Sequence, residues 1–87
     1  MFDSKMKKAY VLINCDIEKV EVVLLTLRKI KSVTEAHGTF GVYDIITEVK
    51  ADTAELLKED LTWKIRKLPF IKSTLTLIGV AEQDYLD

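Results

Sequence analysis

Residues 32–50, SVTEAHGTFGVYDIITEVK, decide how this chain folds. SVTEAHG opens with β-branched residues and reads as a strand. VYDIITEVK, from Val42 on, reads as another. Between them lies GTFG, where Gly38 and Gly41 bracket a tight turn and permit positive φ and a close approach to the main chain. Two strands joined by so short a loop make a hairpin. Upstream of it, Val20, Val23, Leu24, Leu27 and Ile30 recur at helical spacing. Asp16 stands where an N-cap belongs, Glu18 and Glu21 come early, and Arg28, Lys29 and Lys31 come late, an order that complements the helix dipole. Downstream, Asp52 and Glu55 form a D-x-x-E pair resembling a capping box. Leu57, Leu61, Ile65 and Leu68 then stripe a second helix, and Pro69 ends it. KAYVLIN, residues 8–14, and IKSTLTLIGV, residues 71–80, read as the first and last strands. The tail AEQDYLD carries no assignment. The order is β-α-β-β-α-β. That predicts an α+β, ferredoxin-like domain, a four-stranded antiparallel sheet with two helices on one face.

The first and last strands are apolar on both faces. Ala9, Val11 and Ile13 alternate with Tyr10 and Leu12, and Leu75 and Leu77 alternate with Ile78 and Val80. Two helices cover one face only. Leaving four or five such side chains in water forfeits roughly 1.5–3 kcal/mol each. The expectation is a homodimer joined through the open face of the sheet. Trp63 lies off the helical stripe; it is either a half-exposed aromatic resting on its neighbours or part of a second interface between dimers.

With 87 residues the chain makes one domain, and at 48% hydrophobic and 31% charged it is globular rather than disordered. The formal net charge of −1 leaves no footprint for direct nucleic acid binding. No apolar run is long enough to span a membrane, and MFDSKMKK lacks the apolar core of a signal peptide. The lone Cys15 forms no internal disulfide and reads as a small buried hydrophobe, so a cytoplasmic location is the simplest expectation.

Polar chemistry concentrates in the hairpin. It holds two of the three glycines and the single histidine, His37. Asp44 starts a strand, where aspartate is disfavoured, and therefore needs partners. Its carboxylate either accepts turn N–H groups or faces a bound cation such as an α-ammonium group. Turn N–H groups around Gly41 would receive a carboxylate. A carboxylate side chain beside free backbone N–H groups complements a zwitterion, a free amino acid. His37 makes either a structural hydrogen bond or a ligand contact. Thr74 and Thr76 share one face of the last strand, as ordinary strand residues or as hydroxyls lining a polar pocket.

AYVLINC at 9–15, LRKIKSV at 27–33, EAHGTFGVYDIITEVKAD at 35–52 and KIRKLPFIKSTLTLIGV at 64–80 resemble the effector-binding domain of the Lrp/AsnC transcriptional regulators, also called the RAM domain. The resemblance spans about residues 8 to 80. It implies the fold derived above, dimers joined through their sheets, ring-like assemblies of dimers, and a free amino acid bound between dimers. By resemblance, Thr39, Phe40, Gly41 and Val42 match the loop that contacts the effector, and Tyr43 and Asp44 match the family's Tyr-Asp pair. Thr74 and Thr76 match polar positions of the last strand, and His37 ends the matching second strand. The family's regulators carry an N-terminal helix-turn-helix. Only MFDSKMK precedes the first strand here, too short for a DNA-reading module. Met1 suggests a complete gene product, a stand-alone sensor or a partner in mixed assemblies with full-length Lrp/AsnC-type regulators.

No metal-ligand cluster, P-loop, G-x-G-x-x-G or G-x-S-x-G occurs, so no cofactor and no catalysis are expected. Enzymatic readings would rest on His37 with Tyr43 or Thr39, or on Tyr10 and Asn14 in a pocket of a small ferredoxin-like enzyme. The third reading is a ligand-free co-assembly partner.

Overall fold

Alternation along the first strand sets the two faces of the molecule. In the computed structural model, which describes residues 7–78, the first strand β1 is Lys7–Cys15. Ala9, Val11, Ile13 and Cys15 are buried, whereas Tyr10, Leu12 and Asn14 point to the other face. A short 3-10 turn, Ile17–Lys19, leads into helix α1, Val20–Arg28. Strands β2, Val33–Gly38, and β3, Ile45–Ala51, form the hairpin. Helix α2, Ala54–Asp60, continues into one π-helical turn, Leu61–Ile65, and β4 is Ile71–Ile78. The sheet order is β2-β3-β1-β4 with every pair antiparallel, the ferredoxin-like arrangement. Val11, Ile13, Leu27, Ile45, Leu57 and Ile65 form the centre of the core between sheet and helices. Residues 79–80 of the expected last strand and the tail lie outside the described residues.

The elements differ from their sequence expectations at their ends, and each difference has a local cause. The hairpin loop runs over residues 39–44, so β3 starts at Ile45 rather than Val42. Asp44 closes that loop: its N–H donates to the Ile13 carbonyl at 2.9 Å and its carbonyl accepts from Thr39 N at 2.9 Å. Asp16 precedes the first helical turn but its carboxylate caps nothing, lying instead 3.7 Å from Lys72 Nζ. Helix α1 closes at Arg28, whose guanidinium donates twice to the Ala36 carbonyl, at 3.2 and 2.7 Å, and so ties α1 to β2. The cap of α2 is Thr53, not Asp52: the Thr53 hydroxyl accepts from Leu56 N at 3.1 Å. Arg66 N donates to Leu61 O at 3.0 Å, which makes the last turn of this helix π rather than α. Past Pro69, Phe70 adopts a left-handed φ of 73°, and its carbonyl accepts from Asp16 N at 3.1 Å.

The face away from the helices carries Tyr10, Leu12, Ile46, Leu75 and Leu77 in mutual register. Leu75 is 44% exposed and Leu77 51%. Trp63 is well exposed, with Lys67 Nζ 4.5 Å above its ring. Among the described residues no helix is long and apolar enough to cross a membrane.

Candidate functional site at the hairpin turn

The turn between β2 and β3 folds over the start of α1 and leaves a cleft of about 440 Å³. Gly38, Thr39, Phe40, Gly41 and Asp44 line it from the hairpin, Ile17 from the 3-10 turn and Val20 from the start of α1. Backbone geometry makes this shape possible. Gly41 has φ 139°, a conformation that disfavours a side chain, and nothing lies within 4 Å of where its Cβ would stand. Thr39 braces the loop by donating its hydroxyl to the Tyr43 carbonyl. The N–H groups of residues 40–43 make no backbone hydrogen bond among the described residues. They remain free to receive an anion.

Asp44 serves two purposes with its two oxygens. Oδ2 accepts from Cys15 N at 3.0 Å, pinning the turn to the end of β1. Oδ1 has no protein partner among the described residues, and the side chain lines the cleft. Burial, and then the neighbouring charges of Asp44 and Asp16, push the Cys15 thiol above its ordinary value. The thiol therefore stays protonated and contributes no charge to the site.

The other sequence candidates are placed differently. Val42 is in the loop but turned outward, 82% exposed, and Tyr43 meets the turn through its backbone carbonyl. His37 pairs in register with Ile46, which puts it on the open sheet face, 3.3 Å from Glu35 Oε1 and outside the cleft. Thr74 and Thr76 sit on β4 at the opposite edge of the sheet, opposite Ile13 and Val11. One chain does not bring them to the turn. Thr76 instead lines a separate cleft of about 310 Å³ beside α2. Ile17 and Val20 were not anticipated as site residues. Both extend the core stripe of α1 by spacing, Ile17 standing three residues before Val20 and seven before Leu24, so nothing in the sequence sets them apart from the core.

The model of the Lrp/AsnC ligand binding domain matches residues 8–82, nearly the whole chain. The protein belongs to the Lrp/AsnC family. This Lrp/AsnC domain is similar to a hypothetical protein from Pyrococcus horikoshii at 35% identity, covering 88% of this chain and 93% of that one, with a TM-score of 0.82. It is similar to Escherichia coli AsnC at 26% identity and a TM-score of 0.81, covering 97% of this chain and 56% of AsnC. A transcriptional regulator from Neisseria meningitidis, solved as its L-Met complex, shares the fold at 10% identity, with a TM-score of 0.76 over 91% of this chain and 53% of that one. No curated protein matches the sequence. Family and fold together make this an effector-binding regulatory module of the Lrp/AsnC type.

Proposed function

We propose that the chain is a non-catalytic sensor that binds a free amino acid at the hairpin cleft. The supporting observation is the pairing of opposite polarities in one place. Asp44 Oδ1 is unpartnered among the described residues and suits an α-ammonium group, while Phe40 and Gly41, which line the cleft and whose N–H groups make no backbone hydrogen bond among the described residues, suit an α-carboxylate. Ile17, Val20 and Phe40 supply apolar surface for a side chain. A structure of a relative with L-Met bound is in keeping with this ligand class.

The cleft is open, and its closure belongs to assembly. Tyr10, Leu12, Ile46, Leu75 and Leu77 form a half-exposed apolar face suited to a second copy of the chain. Dimers stacked into a larger ring would bring Thr74, Thr76 and His37 of other copies toward each turn. The same face would accept a full-length Lrp/AsnC-type relative in a mixed assembly. An effector acts in this scheme by binding one assembly more tightly than another.

The test is a thermal-shift screen against the free amino acids, followed by calorimetry on Asp44→Asn. At 100 times its dissociation constant a ligand adds about 2.7 kcal/mol, a large rise in Tm for a domain of this size. Asparagine keeps an oxygen for Cys15 N and replaces the free carboxylate oxygen with an amide. The variant should therefore fold normally and lose most of the affinity. Unchanged affinity removes the role of Asp44. A flat panel from a folded oligomer favours the ligand-free co-assembly partner.

A further inference from the structure

The cleft that holds Thr76 differs in charge from the one at the turn. Its lining is Lys58, Leu61, Thr62, Arg66, Thr76 and Ile78, with no carboxylate among them. Lys58 and Arg66 have no acidic partner among the described residues, unlike Lys8, Lys64 and Lys72. The hydroxyls of Thr62 and Thr76 make no hydrogen bond among the described residues either. Two unneutralised cations and two free hydroxyls therefore meet in about 310 Å³.

The local fold assembles this group. Lys58, Thr62 and Arg66 succeed one another at intervals of four along α2 and its π turn, so they share one side of the helix. The Leu61–Ile65 π turn sits between the two cations, and single π turns in helices frequently accompany functional sites. Thr76 faces them from β4 because it pairs with Val11, whose side chain is buried on the helix side of the sheet. Arg66 follows a helix C-terminus, where a cation is favourable in any case. Lys58 lies in the last turn of α2 itself, ahead of the π turn. Leu61 and Ile78 add an apolar lip.

We propose that this cleft binds the anionic group of a small dianion, a dicarboxylate or a phosphate compound. Arg66 offers its planar fork of donors to two oxygens, Lys58 supplies a second charge, and the two threonine hydroxyls donate to the remaining lone pairs. Within one chain the lining residues of the two clefts do not overlap, so the inference does not depend on Asp44 or the turn; Thr76 is the one residue it shares with the assembled amino-acid site proposed above.

The experiment is a TROSY NMR titration of the full chain with succinate and with inorganic phosphate, each at constant ionic strength set by sodium chloride. Amides of residues 58–66 and 74–78 should shift and saturate with at least one probe, and the probe that saturates names the source of the oxyanion. Arg66→Gln should weaken that binding about tenfold, since a charge-assisted hydrogen bond of this kind is lost. Lys58→Gln should weaken it in the same direction. Both side chains are exposed, so both variants should melt like the parent, and Asp44→Asn should leave the titration unchanged. Shifts that never saturate with either probe, or that persist unaltered in both variants, overturn the proposal.

Discussion

Thr47 carries the plainest unmet polar demand in the core. It is fully buried and its hydroxyl has no partner among the described residues. Burying an unpaired hydroxyl costs about 1–3 kcal/mol, and valine has the same shape without it. Thr47→Val should raise stability by about 1 kcal/mol, read as a higher urea midpoint at unchanged slope. Strict alternation in IITEVK already puts Thr47 inward with Ile45 and Val49, so its burial was legible in sequence. The missing partner was not, because that depends on what the helices place above it. Asp44 is similar. Its need for partners follows from its residue type, and two uses competed on sequence grounds. The structure puts Oδ2 on Cys15 N and leaves Oδ1 without a partner among the described residues, on a residue that lines the cleft. That division is why Asp44→Asn is the informative variant and Asp44→Ala is not: alanine also removes the strut to β1.

The elements show where local signals compete. Asp52 and Thr53 are both good caps, and the sequence pattern favoured Asp52. Pairing decides for Thr53, because β3 remains in register with β1 as far as Ala51 opposite Lys7. The turn out of the strand then occupies Asp52, and the helix starts one residue later than its capping pattern suggests. Thr53→Ala should cost about 1 kcal/mol in chemical denaturation, and Asp52→Ala should stay within about 0.5 kcal/mol of the parent. A cross-strand group shows a second kind of element-level control. Glu48 on β3 accepts from Thr34 of β2 at 2.6 Å and from Tyr10 of β1 at 3.0 Å, with Lys8 Nζ 3.4 Å away. The Thr34 hydrogen bond first, then Tyr10 and Lys8, hold its carboxyl below the ordinary 4.5 against an opposing push from burial. A lowered folded pKa stabilises fully above the unfolded value and is lost as pH falls through the folded one. Stability should thus fall as pH drops below about 4.5, and Glu48→Gln should flatten part of that limb in pH-dependent melts.

At the scale of the molecule, the open sheet face asks for a partner. Tyr10 is 38% exposed, Leu75 44% and Leu77 51%, alongside the half-buried Leu12 and Ile46. A covered face makes Leu75→Glu with Leu77→Glu a dissociating pair of substitutions, since each places a charge in the apolar centre. Analytical ultracentrifugation should show the parent as a dimer or larger and the double variant as a folded monomer; a parent that sediments as a monomer removes the dimer. Much of the architecture was legible before any coordinates. Period-2 and period-3.6 apolar patterns, a glycine turn and a proline stop act within a few residues of chain, and they sufficed for the order β-α-β-β-α-β and for a candidate turn holding Thr39 to Asp44. Tertiary structure decided what depends on register and on side chains far apart in sequence. It moved His37 onto the open face through its pairing with Ile46, and it brought Ile17 and Val20 under the hairpin. It also separated Thr76 from the turn by the width of the sheet and set it beside Lys58 and Arg66. The physical reason is the same in each case. Hydrophobic periodicity is a local property that fixes which face of an element is apolar, whereas the neighbours of a polar side chain are chosen by strand order and helix docking, which the local pattern does not encode.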